Sequence, residues 1–201
     1  IDRYFDVLKP FEVRNDGAGL NHFIPEKEMV QLNDIPTSHH AGYIAMAIGA
    51  AHGTKKLPVH KLKAIAERIK HPIILLGGKQ DNDAGTEIAA VDSDKIYNAC
   101  GRFSINESAD LVRRAKLVIS HDTGLMHMAA AFKRPLISIW GNTVPSFGMY
   151  PYYGDNYLKN NSRTPFHIVQ INGLWCRPCS KLGYRKCPLG HFKCMNEIKF
   201  D

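Results

Sequence analysis

The chain has 201 residues, with 26 Lys and Arg against 19 Asp and Glu, a net charge of +7 and five cysteines. That length suits one full domain and part of another, at the usual about 100–200 residues per domain, and no run approaches the roughly 18 apolar residues that a membrane span needs. The basic balance favours phosphate-bearing partners, but no long Lys/Arg run with interleaved aromatics singles out nucleic acid.

The chain opens on Ile1 with IDRYFDVLKPF. No charged stretch leads into an apolar one, so no cleaved signal is visible, and the reading is a chain whose preceding domain is absent. Residues 1–40 hold Pro10, Pro25 and Pro36, an NDG turn at Asn15, Asp16 and Gly17, and only short apolar patches. They are expected to be the end of a preceding domain and an interdomain connection. From Tyr43 the pattern changes. Apolar runs of strand length (YIAMAIGA, PIILLGG, KIYNAC, KLVISHD, PLISIW and HIVQI) alternate with helix-period stretches (PVHKLKAIAERIKH, DAGTEIAAV, NESADLVRRA and GLMHMAAAF). Continuous apolar runs suit parallel strands covered on both faces. In the first helical stretch Leu62, Ile65, Ala66 and Ile69 share one stripe behind Pro58. In the third, Asn106 is placed to cap, with Glu107 and Ser108 in the first turn and Arg113 and Arg114 in the last. The alternation predicts an α/β fold, a Rossmann-like doubly wound parallel sheet, over residues 41–172. Residues 141–165, dense in Gly, Pro, Tyr and Asn, read as an irregular functional loop. Residues 173–201 read as a Cys-rich basic segment packing back on the domain, with Arg177, Lys181, Arg185, Lys186, Lys193 and Lys199 against Glu197 and Asp201.

Ligands of such sheets gather at the carboxyl ends of the strands, so the strand-end turns carry the candidates. After KLVIS, residues 122–131 place Asp122, Thr123 and Gly124 at the opening of a helix, where free backbone N–H groups and the positive dipole end favour an anion. Thr123 offers a hydroxyl, Gly124 permits close approach, and His127 lies one turn further on. The ordinary alternative is an Asp cap, a tight turn and a core histidine. After the first strand, IGAAHGTKKLP brings small Gly49, Ala50, Ala51 and Gly53, the Thr54 hydroxyl, and Lys55 and Lys56. This is neither GxxxxGK[ST] nor GxGxxG, and a solvated loop is its alternative. Gly77 and Gly78 of LLGGKQD leave room for a ring or ribose, and Phe103 of CGRFS is placed to pack on a base; plain strand-to-helix turns are the alternative for both. Cys176, Cys179, Cys187 and Cys194 form C-x2-C-x7-C-x6-C with His191 nearby, which fits tetrahedral zinc. Free or disulfide-paired thiols stay open. Cys100, at a strand end, reads as a small core residue.

Taken together, GTKKLP, LLGG, SADLVRRAKLVISHDTGLMHMAAA, PLISIWGNTVPSFGMYPY and CRPC…CPLGHFKCM resemble the family 9 glycosyltransferases, which include the ADP-heptose:lipopolysaccharide heptosyltransferases; the resemblance covers residues 43–198. It implies the C-terminal, donor-binding half of a GT-B enzyme, whose two Rossmann-like domains face each other across a cleft. The implied reaction is inverting transfer of a sugar, heptose from ADP-heptose, to lipopolysaccharide core or a related surface glycan. By the same resemblance Lys55, preceded by Thr54, neutralises the donor diphosphate, and Asp122, Thr123, Gly124 and His127 match a D-T-G-x-x-H motif facing sugar and diphosphate. Phe103 packs on or caps adenine, and Gly141, Asn142 and Thr143 match a G-x-T turn beside the pocket. Lys79 falls near a position that often holds a ribose-binding acid, a poor match because a lysine accepts no hydroxyl proton. Lys55, the helix start at Thr123 and His127 are expected to stabilise the leaving diphosphate without a metal. The general base is expected from the N-terminal domain, so this chain alone should bind donor and transfer nothing. No cofactor is expected for catalysis, with structural zinc at the four C-terminal cysteines left open. The expected partners are the nucleotide-sugar, the lipopolysaccharide-type acceptor and the chain's own N-terminal domain, not nucleic acid. The expected location is cytoplasmic, peripheral to the inner membrane. The rival readings are a GT-B-type nucleotide-sugar epimerase, which needs a catalytic acid pair, and a zinc-bearing nucleic-acid-binding module.

Overall fold

The apolar runs become six strands, β1 (Ile44–Ala47), β2 (Ile73–Leu76), β3 (Ile96–Asn98), β4 (Leu117–His121), β5 (Leu136–Trp140) and β6 (Phe166–Gln170). All pair in parallel in one sheet of order β3-β2-β1-β4-β5-β6. The order runs one way from β1 to β3 and the other way from β4 to β6, the signature of a Rossmann-like doubly wound sheet. The computed structural model describes residues 1–161 and 165–200, with side chains for all of them but Asp2 and Arg3. The helices are α1 (Asp2–Leu8), α2 (Val59–Arg68), α3 (Asn82–Ala89), α4 (Ile105–Arg114), α5 (Gly124–Ala131), α6 (Asp155–Asn160) and α7 (Lys193–Asn196).

The period-2 geometry of a strand explains why these runs are apolar throughout. Ile73 and Leu75 enter a core with Met46, Leu62, Ala66, Ile88 and Met195, while Ile74 and Leu76 enter another with Ala45, Leu111, Val118, Met126 and Trp140. All four β2 side chains are buried, each stabilising by roughly 1.5–3 kcal/mol. On α2 the expected stripe holds: Leu62 and Ala66 are buried and Ile65 and Ile69 pack against the same core.

Two local expectations are corrected. The N-cap of α4 is Ser104, not Asn106: the Ser104 hydroxyl accepts the Glu107 N–H, and the Glu107 carboxylate accepts the Ser104 N–H at 2.6 Å. This reciprocal capping box satisfies two orphan donors at once, and the Asn106 amide turns outward to Glu28. The stretch 141–165 is less irregular than its composition implies, because it contains a 3-10 turn at Pro145–Phe147 and helix α6. Ser162, Arg163 and Thr164 of that stretch, and the terminal Asp201, lie outside the described residues.

Residues 15–40 lie along the α4–α5 side of the sheet. Val30 and Ile35 are buried in the second core, the buried Asp110 carboxylate accepts the Val30 N–H at 3.1 Å, and Arg114 donates to the Val30 carbonyl at 2.8 Å. At the other end of the chain Met195 and Ile198 are buried in the first core, against α2 and β2.

Candidate functional site

The sheet reverses direction between β1 and β4, and the crevice outside their carboxyl ends is where a doubly wound sheet takes its ligand. The two turns singled out by sequence leave from those two strands. After β1 the chain makes a 3-10 turn at Gly53–Lys55; after β4 it passes Asp122 and Thr123 into α5. They meet in an ion pair: Lys55 Nζ lies 2.6 Å from Asp122 Oδ2, with the two side chains only 16% and 7% exposed. The Thr143 hydroxyl, arriving from the end of β5, donates to the same Oδ2 at 2.9 Å. One carboxylate therefore ties together the three segments that leave β1, β4 and β5.

The next lysine faces another way. Lys56 Nζ lies 2.6 Å from Oδ1 of the buried Asp81, whose Oδ2 accepts the Gly78 N–H at 3.0 Å. Successive side chains of extended backbone point to opposite sides, and Lys56 is extended, so neighbouring lysines reach carboxylates on opposite sides of β1. Between them the fully buried His121 accepts the Leu57 N–H on Nε2 at 2.9 Å. Burial pulls its pKa down to about 4, keeping the ring neutral. His127 has a lowered pKa for the same first reason, burial; Asp122 opposes the shift and Lys55 adds to it. In the free protein burial thus favours its neutral form.

Beside this cluster lies a cleft of about 340 Å³, within the range of small-ligand pockets. Leu76, Phe103, Ile105 and Leu125 give it apolar walls, and Gly77, Gly78, Thr123 and Gly124 give it backbone. A side chain at Gly124 would meet nothing within 4 Å, so the first turn of α5 is open to whatever occupies the cleft.

Of the candidate residues, Gly78, Phe103, Thr123 and Gly124 line the cleft. Lys55, Asp122 and Thr143 are bonded to one another, with His127 in electrostatic reach. Two candidates are placed elsewhere. Thr54 is buried, and its hydroxyl is committed to the backbone of Tyr184: it donates to that carbonyl at 3.1 Å and accepts that N–H at 2.8 Å. Nothing is left for a phosphate, because a hydroxyl has a single proton to give. Lys79 is exposed and lies outside the cleft walls, its backbone backed against Gly101; Gln80 and Asp81 line the cleft instead. A carboxylate thus stands two residues beyond Lys79, but Lys56 and the Gly78 N–H already occupy it.

Two features were missed. The Asp81–Lys56 pair had a signal, an acid following LLGGKQ and a spare lysine. Arg177 had none: its guanidinium donates to the carbonyls of Gly141, Thr143 and Ile171 and to the Gln170 side chain at 2.5–2.8 Å, holding the turn that carries Thr143. Asn142, in the same turn, is buried with neither amide atom bonded among the described residues. It borders a small space of about 30 Å³ shared with Arg177, Cys176, Cys179, Cys187, His191 and Cys194. No disulfide joins these cysteines. Burial pushes the Cys194 thiol up to about 11 and the Cys179 thiol upward, with the neighbouring thiols adding to both.

Comparison with known proteins places this geometry in a family. The chain is 31% identical to a lipooligosaccharide heptosyltransferase 2 from Haemophilus influenzae over 152 residues, covering 70% of this chain and 42% of that protein. A family 9 glycosyl transferase from Veillonella parvula superposes with a TM-score of 0.67 at 22% identity, covering 84% of this chain and 47% of that one. The E. coli heptosyltransferase WaaC, solved with ADP, superposes with a TM-score of 0.51 at 25% identity over 68% of this chain and 40% of that one. The chain spans less than half the length of each. The sequence profile described as glycosyltransferase family 9 (heptosyltransferase) matches residues 9–167, and with more than half of its length so matched, the chain belongs to glycosyltransferase family 9.

Proposed function

We propose that this chain is the donor-binding part of an inverting GT-B glycosyltransferase that transfers heptose from ADP-heptose to lipopolysaccharide core or a related surface glycan. The observation that carries the reading is the Lys55–Asp122 pair spanning the β1/β4 switch point beside a cleft walled by Phe103 and opened by Gly124. The apolar walls suit a purine ring, and a diphosphate extending from it reaches the start of α5, where free N–H groups and the dipole favour negative charge. Departure of the diphosphate builds negative charge on its oxygens. Lys55 supplies a fixed cation for that charge and His127 a hydrogen-bonding ring, while the Thr123 hydroxyl donates to Ser120, whose own proton goes to the His121 carbonyl, and so orders the start of α5. Asp122 acts as a positioning residue: its carboxylate already holds Lys55 and Thr143, so the proton of the acceptor hydroxyl goes to a base on the other half of the enzyme. Support for an adenine nucleotide comes from WaaC, the relative solved with ADP, and support for the acceptor from relatives described as lipopolysaccharide heptosyltransferases in Salmonella typhimurium and E. coli. Among the described residues no helix is long and apolar enough to cross a membrane. The basic C-terminal segment favours a peripheral position at the anionic cytoplasmic face of the inner membrane.

Calorimetric titration of the full-length protein with ADP, ADP-heptose, UDP and UDP-sugars tests this, beside Lys55→Ala. Adenine ligands should bind, and Lys55→Ala should weaken them by about 1.5–3 kcal/mol, the worth of a hydrogen bond to a charged group, or roughly 10- to 150-fold in Kd. Preference for UDP ligands would overturn heptose as the sugar, and binding of no nucleotide would overturn the donor reading.

A further inference from the structure

Residues 174–198 have little regular structure and a small buried core of their own. The segment contains four residues of helix, α7, and otherwise turns, and its buried apolar side chains are Cys194, Met195 and Ile198. Trp175, Leu182 and Leu189 are exposed, by 82%, 70% and 51%. Ordering a residue's backbone costs about 1–2 kcal/mol, so three buried side chains, with Leu174 and Phe192 partly buried beside them, are a small core for some two dozen residues. Yet the segment sets the position of two site turns. The Tyr184 backbone fixes Thr54, next to Lys55, and Arg177 fixes the turn that carries Thr143. Small segments with this little core are stapled by disulfides or metals.

We infer that Cys176, Cys179, Cys187 and Cys194 hold a structural zinc ion that clamps residues 174–198 onto the two turns of the donor cleft. The four thiols line one small space together with His191, whose Nε2 lies 3.9 Å from the Cys176 sulfur. The space, about 30 Å³, exceeds the about 10–15 Å³ that one water needs and admits an ion. The donor set is sulfur, which selects zinc over magnesium or calcium, and four protein ligands leave no open position for catalysis, as in closed structural sites. Among the described residues no three His, Cys, Asp or Glu side chains already stand in a metal-holding arrangement, so the ion draws the sulfurs inward. Binding releases the four thiol protons to solvent and leaves a shell of net charge −2, that is, a +2 ion and four −1 thiolates. The surrounding charge matches: the Arg177 guanidinium borders the same space, and Lys181, Arg185, Lys186 and Lys193 are in the same segment.

The test is the metal content of the full-length protein after exhaustive dialysis, read by mass spectrometry. About one zinc per chain is expected, released in step with mercurial titration of the thiols. Cobalt exchanged into the unmutated protein should show the intense visible bands of tetrahedral Co(II)–thiolate coordination, a readout that needs no variant to fold. The double variant Cys179→Ser, Cys187→Ser should lose the zinc while Cys100→Ser, in the main core, keeps it. Metal-free protein with no cobalt–thiolate bands, whether its thiols titrate freely or have closed as disulfides, overturns the site; iron at the same stoichiometry overturns zinc as its ion. Limited proteolysis reads the clamp: removal of the metal should expose residues 174–198 to cleavage, and unchanged resistance overturns the clamp. The link to the cleft rests on the donor reading, and a full zinc count with unchanged ADP binding after metal removal overturns that link alone.

Discussion

At the ends of β1 and β4 the chain is held from beneath, by strands buried on both faces; across residues 174–198 it is held from the side, by a few polar groups that reach neighbouring backbone. In the first region the turns carrying Lys55 and Asp122 sit on Met46, Ile119 and their neighbours, which are buried in the sheet, and the polar atoms above them are paired at 2.6–2.9 Å. In the second, Arg177 alone closes four hydrogen bonds over side chains that include the exposed Trp175 and Leu182. Burial is non-directional and cooperative, so the sheet resists any one loss in proportion to the volume removed. Hydrogen bonds from one side chain are directional and concentrated, so the segment depends on single residues. The two meet at Gly141, where an added Cβ would stand 2.6 Å from the Met195 side chain and 2.8 Å from the Thr54 carbonyl. A glycine is needed there because the two regions press on the same point.

The contrast breaks most readily in the sheet. Leu75→Ala opens a cavity in a fully buried strand and should cost about 3–4 kcal/mol, within the range for buried leucines, measured by urea unfolding with an unchanged slope. Next comes acid. His121 is neutral and buried with its pKa near 4, against 6.5 for an ordinary histidine. The unfolded chain therefore binds the proton first, and this contribution is complete above pH 6.5 and lost as pH falls to 4. The loss should reach about 3 kcal/mol, and His39 and His127, both lowered by burial, act in the same direction. Urea midpoints at pH 7 and pH 4.5 read it, and His121→Gln should flatten the dependence while lowering stability at pH 7. The smallest of these effects belongs to the segment. Arg177→Ala leaves the Gly141 and Thr143 carbonyls without their donor and should cost about 2 kcal/mol. Arg177→Lys should recover little of it, because an ammonium does not reproduce the guanidinium fork. Proteolysis after residue 173 should rise well before the sheet unfolds, and equal resistance in both regions would remove the distinction between them.

What the sequence determined by itself is what local pattern encodes. Runs such as PIILLGG are apolar at every position because parallel strands here are covered twice, and that rule needs no knowledge of partners; from it followed the doubly wound sheet and the two strand-end turns at residues 48–58 and 122–131. The stripe of Leu62, Ile65, Ala66 and Ile69 was legible for the same reason. Tertiary structure alone decided which groups face one another. Lys55 and Asp122 stand far apart in sequence and meet because β1 pairs with β4; the Thr54 hydroxyl is spent on Tyr184 because residues 174–198 fold back over its turn; Gln80 and Asp81, rather than Lys79, turn to the cleft because a 3-10 turn opens there. Ser104 rather than Asn106 caps α4, although its S-x-x-E pattern was in view, because a box with two reciprocal bonds outcompetes a single cap. Periodicity is a property of neighbouring residues and survives in one dimension, whereas a hydrogen bond between distant residues exists only once strand order and loop path have brought its two ends within 3 Å.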